Sequence, residues 1–141
     1  ETEKLELLLN IEVNDNFRLL KDQALVGNKA KTNKLLSDTI IEDEKSIYYL
    51  NLINQRLINL KDLHKLSGVN IEDKINSLKP PIFWKDKSNF LKQSEMWNIN
   101  KIKKLQEKTY NLELMIKSNS IVNKNTLIKE LIVDICRMAN A

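Results

Sequence analysis

Apolar residues recur at steps of three and four along most of this chain, the spacing that gathers side chains on one face of an α-helix. The clearest run is Ile99, Ile102, Leu105, Thr109, Leu112 and Ile116. Asn98 stands where an N-cap would accept an unpaired N–H of the first turn, and Trp97 before it can staple the entering chain against that turn. Tyr110 and Leu114 lie four apart and well round from the stripe, so they meet either another helix or a partner. Glu113 and Lys117 follow in the favourable acid-then-base order, and Asn119 is placed to end the helix in a left-handed turn.

The longest pattern spans Asp43 to Ser67, with Leu50, Ile53, Leu57, Leu60 and His64 on one stripe and Tyr48, Leu52, Leu63 and Leu66 on another. A helix that is apolar on two sides is packed on two sides, so this is the expected centre of a bundle. Ahead of it, Phe17 to Val26 predicts a short helix burying Phe17, Leu20 and Ala24, closed by Gly27-Asn28. Lys29 to Ile41 predicts a second, built around Leu35, Leu36, Thr39 and Ile40. Asn70 is placed to cap a short segment from Ile71 to Leu78, and Thr126 to Met138 predicts a final helix with Leu127, Leu131, Ile135 and Met138 on one side. Glu1 to Leu9 reads as the tail of a helix from a preceding domain, joined by an Asn- and Asp-rich linker with Asp15 or Asn16 as the next cap. The expected division is therefore a tail and linker over residues 1–13 and one helical domain over 14–141.

Between the patterns lies Pro80-Pro81, which ends any helix before it, because proline has no N–H and its ring restricts the preceding residue. Phe83, Trp84, Phe90 and Leu91 follow, interleaved with Lys85, Lys87 and Lys92. Two readings stand open. Aromatics among lysines suit single-stranded nucleic acid, with bases stacked on rings and phosphates on ammonium groups. A short amphipathic helix with its rings inward fits equally, and the spacing of Phe83, Phe90 and Leu91 favours that packing.

Composition narrows the field. The 141 residues suffice for one domain with a real core, and two glycines with two prolines disfavour a turn-rich β fold. The net charge of +4 is spread along the chain among acids, so it argues only weakly for a nucleic-acid partner; that alternative would use Lys85, Lys87, Lys92, Lys101, Lys104 and Lys108. A single cysteine, Cys136, excludes an internal disulfide and a multi-thiolate metal site, and points to a reducing, cytoplasmic setting. No run approaches the ~20 apolar residues of a membrane span. An acidic start without Met points to a fragment of a longer protein. No phosphate loop, HExxH, GxSxG or cysteine pair appears, and one lone histidine, His64, sits among leucines, where a bond to a neighbour is its plain role. The expectation is an all-α bundle of about six or seven helices, with no catalytic residues, cofactor or metal, whose work is contact with other macromolecules. An unrelated helical adaptor is a further alternative.

One family matches the order of these features. Leu78-Lys79-Pro80-Pro81-Ile82-Phe83-Trp84-Lys85, then Phe90-Leu91-Lys92-Gln93 and Met96-Trp97-Asn98, then Leu112-Glu113 with Lys117, resembles the C-terminal domain of the bacterial DNA polymerase III delta subunit. The likeness runs from about Phe17 to Cys136, with lysine and asparagine standing where the family carries arginine, and Asn119 where glycine is common. It implies a collar-type helical domain of the clamp loader, joining gamma/tau- and delta-prime-type subunits, with DNA met through the complex and the sliding clamp met only by N-terminal domains outside this chain. On that resemblance Tyr110, Leu114 and the outward side of Thr126 to Met138 are the expected subunit contacts.

Overall fold

A computed structural model describes residues 16–68, 70–119 and 121–141. The tail and linker expected over residues 1–13, and the candidate cap Asp15, lie outside the described residues. Within them are seven α-helices and no strand: α1 (residues 16–26), α2 (Lys29–Asp38), α3 (Ser46–Lys65), α4 (Ile71–Asn76), α5 (Lys87–Met96), α6 (Ile99–Ser118) and α7 (Lys124–Ala139). Short 3-10 turns at Asp43–Lys45 and Trp84–Asp86 lead into α3 and α5. This is the all-α bundle that the hydrophobic periodicity predicts.

The helix α3 is the centre, packing against α5, α6 and α7. Its Leu50, Ile53, Leu57 and Leu60 are fully buried, each burial contributing about 1.5–3 kcal/mol. The second expected stripe is only partly covered: Leu63 is buried, while Tyr48 and Leu66 are exposed. Phe17 of α1 stacks on Tyr49 with ring centroids 4.2 Å apart, and the Tyr49 hydroxyl accepts from the Glu42 N–H at 3.1 Å. The lead-in to α3 is thereby fixed to its first turn. From α6, Ile102, Leu105, Thr109 and Ile116 enter the core as the stripe predicts. From α7, Leu131 and Ile135 enter the core as expected, but Ile128, Ile132 and Cys136 join them while Leu127 and Met138 are only half-buried, so the buried face is turned from the predicted one.

Asparagine, abundant in the sequence, opens four of these helices. Asn28, Asn70, Asn98 and Asn123 accept from the backbone N–H of Lys31, Glu72, Lys101 and Thr126 at 3.0, 2.9, 2.8 and 3.2 Å. Each satisfies a donor that the first helical turn leaves unpaired. Gly27 links α1 to α2 at φ 80°, and a Cβ there would come within 3.0 Å of Asn140 Nδ2. Asn140 Nδ2 in turn donates to the Gly27 carbonyl at 2.9 Å, closing the end of α7 onto the α1–α2 turn.

Several boundaries differ from the sequence reading. The helix α2 stops at Asp38, and Thr39 is extended, because the β-branched run Thr39-Ile40-Ile41 resists helix; Ile40 faces solvent and Ile41 is buried in its place. The segment after Ile71 is helical only to Asn76. Asn119 is extended at φ −136° and not left-handed; its Oδ1 accepts from the Ile121 N–H at 3.0 Å, so a side-chain turn ends α6.

Candidate interaction surfaces

Residues 79–86 form a strap from α4 to α5, beginning with a cis Lys79–Pro80 peptide. Its two rings point outward. Phe83 is 48% exposed and Trp84 69%, whereas Phe90 is fully buried and Leu91 packs against the core. The inward packing expected of all four residues therefore holds for the second pair only. Phe83 is extended and residues 84–86 form a 3-10 turn, so the helical register begins only at Lys87 and Phe83 never shares a face with Phe90. Trp84 lies 5.8 Å from Phe83 between centroids, and Lys85 Nζ sits 5.4 Å from the Trp84 ring. A cation over an exposed indole stays solvated and available to an anion. Lys87 Nζ donates to Asn76 Oδ1 at 3.2 Å, and Lys92 is exposed on α5.

The strap is held from below by a buried polar network. Asp86 Oδ2 accepts from Arg18 Nη2 at 3.2 Å and lies 3.5 Å from Arg56 Nη2. Arg56 Nη1 donates to Asp22 Oδ1 at 3.1 Å and to Gln93 Oε1 at 2.8 Å, while Gln93 Nε2 donates to the Asp22 carbonyl at 3.1 Å. The guanidinium also lies 5.7 Å from the Phe90 ring centroid. One planar fork thus ties α1, α3, α5 and the strap together, a geometry that lysine cannot reproduce. Beside it, Lys21 Nζ is 3.5 Å from Asp22 Oδ1, and its pKa is pulled down to about 8, first by burial and then by Arg56 and Arg18, against the opposing pull of Asp22.

Of these network residues only Gln93 appears among the sequence motifs, and the sequence assigns no ionic role to any of them. A signal was there: only Arg18, Arg56 and Arg137 among 23 basic residues are arginine, and two of the three sit in this network.

A second surface lies on α6. Tyr110 is 59% exposed and Leu114 48%, on the side of the helix away from its core stripe, so among the described residues no other helix covers them. Glu113 and Lys117 pair at 3.6 Å nearby. Of the other lysines considered for nucleic acid, Lys101 is engaged internally, its Nζ donating to the carbonyls of Met96, Ala139 and Ala141 at 3.2, 3.4 and 2.7 Å. Lys108 pairs with Asp134 at 3.2 Å. Lys101 thus locks the start of α6 to the ends of α5 and α7.

His64 Nε2 is 2.6 Å from the Trp97 carbonyl, the neighbour bond its setting predicts, and Cys136 is buried as a small hydrophobe. Among the described residues no three His, Cys, Asp or Glu side chains group as metal ligands, and no helix is long and apolar enough to cross a membrane. Compared with protein-family models, curated proteins and solved structures, the chain matches none of them.

Proposed function

We propose that this chain is a collar-type C-terminal domain of a clamp-loader delta subunit, an assembly element of the DNA polymerase III replication machinery that performs no reaction of its own. The observation that carries the reading is the apolar pair Tyr110 and Leu114, displayed on α6 opposite a fully formed core stripe. An exposed tyrosine and leucine one helical turn apart suit the side-by-side helix packing of subunits in a ring. The all-α bundle and the order of the Pro-Pro strap, Trp97-Asn98 helix start and Glu113–Lys117 pair are those the family resemblance implies. Its partners would be the gamma/tau- and delta-prime-type subunits, in the cytoplasm, with the sliding clamp left to the N-terminal domains that the resembled family carries. Reconstitution with those subunits, comparing the wild-type chain with Tyr110→Ser/Leu114→Ser, tests it.

A second role rests on a separate observation. Trp84, the most exposed aromatic side chain among the described residues, carries Lys85 beside its ring and Phe83 next to it. That is a stacking platform with a cation, suited to a single nucleic-acid strand passing the collar. Oligothymidylate binding followed by Trp fluorescence, with Trp84→Ala as the control, tests this role independently of assembly.

A further inference from the structure

Between α2 and the 3-10 turn that leads into α3, the chain is bounded by two extended residues, Thr39 at φ −98°, ψ 130° and Glu42 at φ −93°, ψ 130°. Burial alternates between them as on a half-buried strand: Thr39 and Ile41 are buried, whereas Ile40 is 70% exposed. The segment is held in place from behind. The Asn125 side chain donates to the Ile41 carbonyl, the Asn125 N–H donates to Asp43 Oδ1 at 2.9 Å, and the Glu42 N–H donates to the Tyr49 hydroxyl. Neither the N–H nor the carbonyl of Ile40 has a hydrogen-bond partner among the described residues. An anchored, β-branched, extended residue with both backbone groups open is a strand edge that lacks its neighbour. Its surroundings are acidic although the chain as a whole carries +4: Asp38, Asp43 and Glu44 are exposed and make no ion pair among the described residues.

We propose that this edge receives an extended, basic segment of a partner protein as an added strand. Running antiparallel, one residue of that segment lies opposite Ile40, accepts from its N–H and donates to its carbonyl. Its side chain falls on the same face as Ile40, so an apolar β-branched residue there covers the exposed isoleucine. The residues two positions to either side share that face and come opposite Asp38 and Glu42, where lysine or arginine is the complement. A second copy of the same edge fits poorly, because antiparallel pairing would set Asp38 of each copy against the carboxylates of the other. The same carboxylates repel a nucleic-acid backbone. This site uses no residue of the α6 face or the strap, so it stands or falls apart from both.

The test is NMR titration of the full 141-residue chain with three peptides: acetyl-Lys-Thr-Val-Thr-Lys-amide, its counterpart with glutamate for both lysines, and its counterpart with N-methylvaline at the centre. The lysine peptide is expected to shift the Ile40 amide saturably and to slow its hydrogen exchange. The glutamate peptide is expected to bind about tenfold more weakly or less, since two attractions become repulsions. N-methylation deletes the donor to the Ile40 carbonyl and is expected to cost about fivefold. Ile40→Pro removes the N–H from the chain itself, and Thr39 already has the extended conformation that a following proline requires, so this variant should fold and lose the lysine peptide. The three-peptide comparison on the wild-type chain decides the matter even if that variant misfolds. No shift at Ile40, equal binding of the glutamate peptide, or undiminished binding of the N-methyl peptide would each overturn the proposal. So would an Ile40 shift that follows chain concentration without any peptide, which would make the occupant a second copy.

Discussion

The indole Nε1 of Trp97 donates to the carbonyl oxygen of Leu25 at 2.7 Å, joining the start of α6 to the end of α1 across 72 positions of sequence. The ring is fully buried, and its own carbonyl contacts His64 at the end of α3. Three helices therefore converge on one residue. Trp97→Ala should cost about 3–5 kcal/mol by leaving a cavity. Trp97→Phe keeps most of the packing but strands the Leu25 carbonyl, and should cost about 1–3 kcal/mol. Urea unfolding of both variants checks the order; a Trp97→Phe cost near zero would mean that the hydrogen bond contributes nothing, and equal costs that the ring's packing does not.

The Arg56 network predicts non-additivity. Arg56→Met leaves the buried Asp22 and the half-buried Asp86 without their shared cation, a loss of about 3–5 kcal/mol. With Asp22→Leu added, the stranded charge next to the Met is gone, so the double variant should lose about 1–3 kcal/mol less than the sum of the singles. Strictly additive costs in urea unfolding would show that the two side chains act independently.

The helices were legible because their information is local. Ile102, Leu105, Thr109 and Ile116 announce a buried face through their spacing alone, and Asn98 announces its cap from one position away. The network was not, because Arg56 finds Asp22 and Gln93 at separations of 34 and 37 residues, and no periodicity encodes such a meeting. The strap failed for a third reason. Phe83 and Phe90 have helical spacing, but the 3-10 turn at Trp84–Asp86 breaks the register between them, so a true pattern of letters describes no single face. Tyr110 and Leu114 were legible as lying off the core stripe, yet the sequence left open whether another helix covered them.

Stability should rise with pH above 8. Lys21 releases its proton near pH 8 in the folded chain, against 10.5 for an ordinary lysine. Between those values the unfolded chain binds a proton that the folded chain has released, so raising the pH favours folding, by on the order of 3 kcal/mol over the full window. Tyr49 works the other way: burial raises its pKa above 10.0, so the folded chain keeps a proton that the unfolded chain loses, and stability falls again at higher pH. The urea midpoint should therefore climb from pH 8 toward 10 and then turn down. Lys21→Met should abolish the climb, and a wild-type midpoint that falls from pH 8 to about 9.5 would contradict this account.

The face carrying Tyr110 and Leu114 separates folding from assembly. Both side chains point away from the core, so Tyr110→Ser/Leu114→Ser should change stability by no more than about 0.5 kcal/mol per site. If the chain is the proposed collar domain, their loss should nevertheless weaken co-purification with clamp-loader subunits markedly, because an aromatic anchor at an interface centre typically accounts for about 2 kcal/mol or more of binding. Unchanged melting with unchanged assembly would remove this surface from the proposal.

Trp84 and Phe90, six residues apart, should respond oppositely to truncation. Phe90 is fully buried under the Arg56 guanidinium, and Phe90→Ala should cost about 3–5 kcal/mol. Trp84 is held out in solvent by a turn whose Asp86 is anchored beneath, so Trp84→Ala should leave stability within about 0.5 kcal/mol of wild type. If the strap carries a single strand, the same Trp84→Ala should weaken oligothymidylate binding by about 1–3 kcal/mol, the worth of one stacked base. Lys85→Ala should instead lower the slope of log affinity against log salt by about 0.7, one released counterion on a single strand. A variant pair that shifted affinity without changing the salt slope would assign the contact to stacking alone, and no binding at low salt would remove the strap from nucleic-acid recognition altogether.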